Sequence, residues 1–177
     1  MRSFKRFTLT AALLLLVSAR ANAESPVPAG NEGVEHRGQG YVFFAPGGIL
    51  AEETQVGTAH FGGGGEFLLY KGIGIGSEAG YLTPWRNFSN GIGLVSVNGS
   101  YHFLRNGKVS PFVTAGYSVA FRSGHVNLVN FGGGINWWVR ERIGIRLEVR
   151  DNMYSESPFD GTHRIHYLGG RIGLSFR

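Results

Sequence analysis

The stretch Ile143-Gly144-Ile145-Arg146-Leu147-Glu148-Val149-Arg150-Asp151-Asn152 decides the fold. In an extended chain successive side chains point to opposite faces, so Ile143, Ile145, Leu147 and Val149 share one side while Gly144, Arg146, Glu148 and Arg150 share the other. A helix, with its period near 3.6 residues, would mix the two sets. The last stretch of the chain obeys the same rule, with Ile172, Leu174 and Phe176 opposed to Arg171, Gly173, Ser175 and Arg177.

Working outward from these two, alternation marks eight strands, at 38–46, 60–70, 73–82, 91–103, 109–121, 128–138, 143–152 and 164–177. Lys71-Gly72, Arg105-Asn106-Gly107-Lys108 and Arg140-Glu141-Arg142 make tight connections, whereas 47–59, 83–90, 122–127 and 153–163 read as longer loops. Asn106-Gly107 is a hairpin signal because both residues tolerate positive φ. An even number of strands, with short turns at one end and long loops at the other, predicts an all-β, eight-stranded antiparallel up-and-down transmembrane barrel. Ten residues rising about 3.3 Å each at a tilt near 45° climb roughly 23 Å, close to the apolar band such a barrel presents to lipid. Both chain ends of the barrel would then lie on the periplasmic side.

Alternation does not say which face points outward. A soluble, lipocalin-like ligand binder would show the same period with its apolar side turned in. Glycine favours the membrane: Gly62 and Gly64 lie beside Glu66, Gly74, Gly76 and Gly80 beside Glu78, and Gly132 and Gly134 between Asn130 and Asn136. A solvated outer wall has no use for residues that weaken a strand, but a narrow lumen needs the room. Tyr70, Tyr101, Phe103, Phe112, Trp137 and Phe176 near the tight turns, and Phe61, Tyr81, Phe121 and Tyr154 near the loops, suggest two interfacial girdles. The polar faces then carry an interior network of Glu66, Glu78 and Glu148 with Arg146, Arg150 and Arg171, joined by Arg122 and padded by Ser96, Asn98, Ser100, His102, Asn130 and Asn136. Such a lumen is packed rather than an open pore.

The N-terminus supplies a route to the membrane. Arg2, Lys5 and Arg6 precede an apolar run from Leu9 to Val17 and a small-residue site at Ala21-Asn22-Ala23, the pattern of a cleaved Sec-type signal peptide over 1–23. That run is shorter than the roughly 20 residues a helical span requires. Residues 24–37, with Pro26, Pro28, Gly30 and Gly33, read as a flexible periplasmic leader, and 38–177 as one barrel domain. Arg2, Lys5, Arg6 and Arg20 account for four of 17 basic residues, so the remaining 13 nearly balance 12 acidic ones. With no basic stripe, nucleic-acid binding finds no support. The chain has no Cys, which excludes disulfides and thiolate chemistry.

By these features 38–177 resembles the small bacterial outer-membrane β-barrel family, which includes the OmpA transmembrane domain, OmpX-like and Opacity-like proteins. The resemblance rests on the eight strands, on texture such as Phe112-Val113-Thr114-Ala115-Gly116-Tyr117, and on the last strand, Tyr167-Leu168-Gly169-Gly170-Arg171-Ile172-Gly173-Leu174-Ser175-Phe176. That strand looks like the signal read by the barrel-insertion machinery, although here Arg177 follows the terminal aromatic. The resemblance implies a monomer in the Gram-negative outer membrane, in contact with lipid and lipopolysaccharide, with a structural or adhesin-like role. It brings no shared catalytic residues.

Gly62–Gly65 and Gly72-x-Gly74-x-Gly76 lack the following helix a phosphate cradle needs. A lipid A-modifying deacylase or acyltransferase is the alternative function, but the His-x-Ser pair of the deacylase type is absent. Only the reverse order occurs, as Ser100-x-His102 and Ser123-x-His125. His163-x-x-His166 near Asp160 invites a metal, yet positions three apart on a strand face opposite sides. No catalytic residue, metal or cofactor is therefore expected. An extracellular ligand would meet the loops, where Glu52, Glu53, Trp85, Phe88, Phe159 and Asp160 are the binding candidates.

Overall fold

A computed structural model describes residues 37–51, 54–104, 107–155 and 164–177. The expected signal segment 1–23, nearly all of the leader, and the loop candidates Glu52, Glu53, Phe159 and Asp160 lie outside the described residues. Eight strands follow one another: β1 (Gly38–Ala51), β2 (Thr54–Tyr70), β3 (Ile73–Pro84), β4 (Ile92–His102), β5 (Val109–Phe121), β6 (His125–Trp138), β7 (Ile143–Ser155) and β8 (Arg164–Phe176). Each pairs antiparallel with its neighbours, and β8 returns to β1 to close the cylinder. Among the described residues the one other element is a short 3-10 turn, Phe88–Asn90.

The register defines the shape of the barrel. A path perpendicular to the strands leaves Gly40 and passes through Gly65, Ser77, Val97, Tyr117, Val129, Met153 and His166. It re-enters β1 at Leu50, ten residues beyond its start. For eight strands that stagger imposes a tilt of about 43° and an interior just wide enough for side chains to fill.

Alternation separates two environments. Val149 is 58% exposed on the outside, and its neighbour Arg150 is 1% exposed within. Val42, Ile75, Val97 and Ile172 share the outer wall, while Asn130, Asn136, Ser118 and Arg171 share the interior. Tyr70, Tyr101, Phe103, Trp137 and Phe176 project outward at the tight-turn end, and Phe61 and Phe121 towards the other. Phe112 departs from the expected girdle: it is buried, because it falls on the inward parity of β5 with Ser110 and Thr114.

Three connections are shorter than the alternation suggested. β1 and β2 continue their ladder through Gly47↔Thr58 and Ile49↔Val56 to Ala51↔Thr54, so most of the expected 47–59 loop is strand. Pro46, which reads as a strand end, interrupts a single ladder. It has no N–H to donate, and pairing to β8 lapses between Phe44↔Ile172 and Gly47↔Gly169 before resuming in the same register. β6 likewise begins at His125, leaving Arg122-Ser123-Gly124 as a tight connection. β7 runs on to Ser155.

The β2–β3 turn shows how the tight end is made. Lys71 and Gly72 both have positive φ, 45° and 88°, as a two-residue turn matched to strand twist demands. The turn is then pinned by the His102 N–H donating to the Gly72 carbonyl at 2.8 Å. A side chain at Gly72 would run into the His102 backbone. Gly72→Val is accordingly expected to cost about 1–3 kcal/mol, read as a lower urea midpoint for unfolding followed by tryptophan fluorescence.

Candidate functional site

The polar interior is built from the inward parity of all eight strands. β3 contributes Glu78 and β7 contributes Arg146, Glu148 and Arg150, with Arg171 from β8. Glu78 Oε2 accepts from Arg171 Nη1 at 2.8 Å, Arg150 Nη1 at 3.2 Å and the Tyr41 hydroxyl at 3.1 Å. Glu148 accepts from Arg146 Nε at 2.9 Å and from Arg150 Nε, with Arg171 Nη1 3.8 Å away. All five side chains are almost wholly buried. The ions are interlocked, each carboxylate serving more than one guanidinium, which is the condition under which charge is tolerated away from water.

Aromatic rings complete the packing in a way that alternation did not reveal. The Arg146 guanidinium lies between Tyr41 and Phe112, 4.4 and 3.9 Å from their centroids, and Arg171 lies 4.2 Å over Phe43. A flat, delocalised cation suits such stacking. The space is made partly by Gly64, where a Cβ would sit 2.6 Å from the Ser77 carbonyl and 2.8 Å from the Tyr41 ring. In β1 both faces are apolar or aromatic, so parity gave no sign that Tyr41 and Phe43 turn inward.

Glu66 occupies a separate cluster near the tight-turn end. Gln39 and Ser100 donate to it, and His102 Nε2 is 3.1 Å away. His102 Nδ1 faces Ser110 Oγ at 3.4 Å, so Ser110, His102 and Glu66 form a hydroxyl, imidazole and carboxylate in series. Triad order alone is not a hydrolase, since chemistry needs a space beside the hydroxyl for a reacting carbonyl. The cavity touching Ser110 and His102 measures about 20 Å³, and Trp138 and Arg177 border it. That is room for a water, not an acyl chain. A third cluster is neutral: Asn130 donates to Asn98 Oδ1 at 2.9 Å and to Ser118 at 2.8 Å, and Ser96 and Ser118 are 2.8 Å apart.

The remaining candidates lie elsewhere. Arg122, expected within the lumen, is exposed at the loop end, where it donates to Asn90 Oδ1 at 3.1 Å. Its strand ends before its side chain can reach inward. Ser123, on the tight connection, and His125, the first residue of β6, are both exposed. Trp85 and Phe88 are exposed and meet edge to face at 6.3 Å, and Trp85 also packs against Phe44 of the barrel wall at 5.9 Å. His166 faces Asp151 at 2.8 Å on the outer wall of β7 and β8; His163 and Asp160, read with it from the sequence, lie outside the described residues. Among the described residues no group of three or more His, Asp or Glu side chains is placed to hold a metal ion.

No protein-family model matches the sequence, and no curated protein matches it by sequence. Solved structures match its fold. Neisserial surface protein A has 12% identity and a TM-score of 0.58, covering 78% of this chain and 96% of that one. The outer-membrane enzyme PagL has 18% identity and a TM-score of 0.54, covering 75% and 97%. The N-terminal β-barrel domain of Pseudomonas aeruginosa OprF has 18% identity and a TM-score of 0.53, covering 78% and 99%. The chain thus has the architecture of the small eight-stranded outer-membrane barrels.

Proposed function

We propose that this chain is an integral outer-membrane barrel with a structural or surface-contact role, its lumen plugged and its loop end facing outward. The observation that carries the reading is the pairing of a continuous apolar outer wall with an ionic interior. Soluble monomers rarely expose contiguous apolar patches beyond a few hundred Å², whereas here every one of the eight strands turns large apolar or aromatic side chains outward, with polar outward groups such as Asp151 and His166 confined to a few positions. A closed ladder leaves no unpaired edge for lipid to meet. The similar folds of Neisserial surface protein A and of Ail, the attachment invasion locus protein of Yersinia pestis, support a contact role at the cell surface. The exposed Trp85–Phe88 pair supplies a place for it on a rigid rim.

Fractionation of a Gram-negative host making the protein tests the reading. The chain is expected in the carbonate-resistant outer-membrane fraction and to migrate faster in gels before boiling than after. Recovery as a monodisperse species in detergent-free buffer would overturn it. For the contact role, cells displaying Trp85→Ala/Phe88→Ala are expected to lose most of their adherence to a host-cell monolayer while keeping normal amounts of folded barrel.

A lipid A-modifying activity is the second reading, favoured by the Asp151–His166 pair on the wall at the loop end and by the fold shared with PagL. Mass spectrometry of lipid A from cells making the protein would reveal an altered acyl pattern, removed by His166→Ala. An unchanged pattern would exclude it.

A further inference from the structure

The interior is not polar throughout. Towards the loop end the inward positions turn aliphatic: Ile49 of β1, Leu82 of β3, Ile92 of β4, Ala120 of β5, Leu128 of β6 and Ile165 of β8 surround a cavity of about 450 Å³. That volume lies within the range of small-molecule pockets, about 300–1,000 Å³. Arg122, Ser123 and His125 stand at its mouth, and Asn152 and Tyr167 border it more deeply. Asn152 is 2% exposed, and neither its carboxamide oxygen nor its nitrogen has a hydrogen-bond partner. A buried amide with both groups unpaired is costly, and this one borders the cavity.

We infer that this cavity is a binding site for a neutral single-chain amphiphile, its hydroxyl hydrogen-bonded to Asn152 and its hydrocarbon chain lying among Ile49, Leu82, Ile92 and Leu128. A hydroxyl both donates and accepts, and so matches the two free groups of the carboxamide. A carboxylate does not suit the floor. The nearest inward cations below it, Arg150 and Arg171, are already held by Glu78 at 3.2 and 2.8 Å, and a buried anion without a counter-charge is strongly disfavoured. A plain alkane would fill the walls but leave Asn152 unpaired.

The test uses the protein folded in lipid nanodiscs with ¹⁵N-labelled asparagine. The Asn152 side-chain resonance is identified by its loss in Asn152→Leu. Titration with 1-octanol is expected to move it saturably, while n-octane at equal free concentration binds at least about tenfold more weakly, and octanoate, whose headgroup would be held by Arg122 at the mouth rather than by Asn152, moves it less. Ala120→Trp, which fills the cavity, is expected to abolish the shift. Leu128→Trp serves the same purpose should the first variant fail to fold. A non-saturating shift that follows partition into the bilayer, equal effects of octane and octanol, or persistence of the shift in the filled variants would each overturn the site. Folding into nanodiscs reports membrane residence separately, so failure of the pocket leaves that reading standing.

Discussion

Glu78→Leu is expected to destabilise the barrel by about 3–5 kcal/mol, the range for breaking a buried ion pair from one side. Glu78 is the meeting point of β1, β3, β7 and β8, through Tyr41, Arg150 and Arg171. Its loss strands two guanidinium groups in a space that water scarcely enters. Arg150 retains Glu148, but Arg171 keeps only a carboxylate 3.8 Å away. Glu78→Gln retains an acceptor and should lose less. Adding Arg171→Leu to Glu78→Leu removes one stranded charge and should recover part of the loss, since an apolar replacement of both partners is often neutral. Reversible urea unfolding in lipid vesicles measures all four proteins. A Glu78→Leu midpoint equal to that of the parent would mean that the interior is wet enough to solvate free arginines.

Val149→Arg is expected to cost about 2–4 kcal/mol in a bilayer, the cost of a lipid-facing arginine near the midplane of a barrel. Val149 stands mid-strand on β7 between Gly133 and Gly170, neither of which offers a counter-charge, and the carboxylate two residues on, Asp151, is already engaged by His166 at 2.8 Å. Phe176→Arg at the rim should cost about 0–1 kcal/mol, because near the interface the side chain reaches water. The contrast between the two carries the orientation of the barrel. In a lipocalin-like molecule with its apolar side inward, the outer wall would be solvated and neither substitution would show such depth dependence.

The elements that were legible in the chain are those whose two faces differ. β7 and β8 read cleanly because Arg146, Glu148, Arg150 and Arg171 alternate with Leu147, Val149 and Ile172, and their bounds changed little apart from the extension of β7. β1 was harder. Tyr41, Val42, Phe43 and Phe44 present large apolar groups on both sides, so the strand was visible but its inward aromatics were not. Pro46 looked like a strand end and the glycines after it like a loop, since turn residues and interrupted strands share the same local chemistry. Arg122 was misplaced for a related reason: at a strand end parity no longer constrains direction, and an exposed partner such as Asn90 can take the side chain.

The sequence by itself determined the strand count, the antiparallel meander and the division of side chains between a greasy and a polar set, because a period of two residues is a local property of an extended backbone. Which ions meet was decided only by tertiary structure. Glu78 lies 72 residues from Arg150 and 93 from Arg171, and nothing short of the ten-residue stagger of the closed barrel brings them together. The same closure gathered aliphatic side chains from six strands around Asn152 at one end. Partners around a cylinder are set by how its edges join, and that joining is a property of the whole ring rather than of any strand within it.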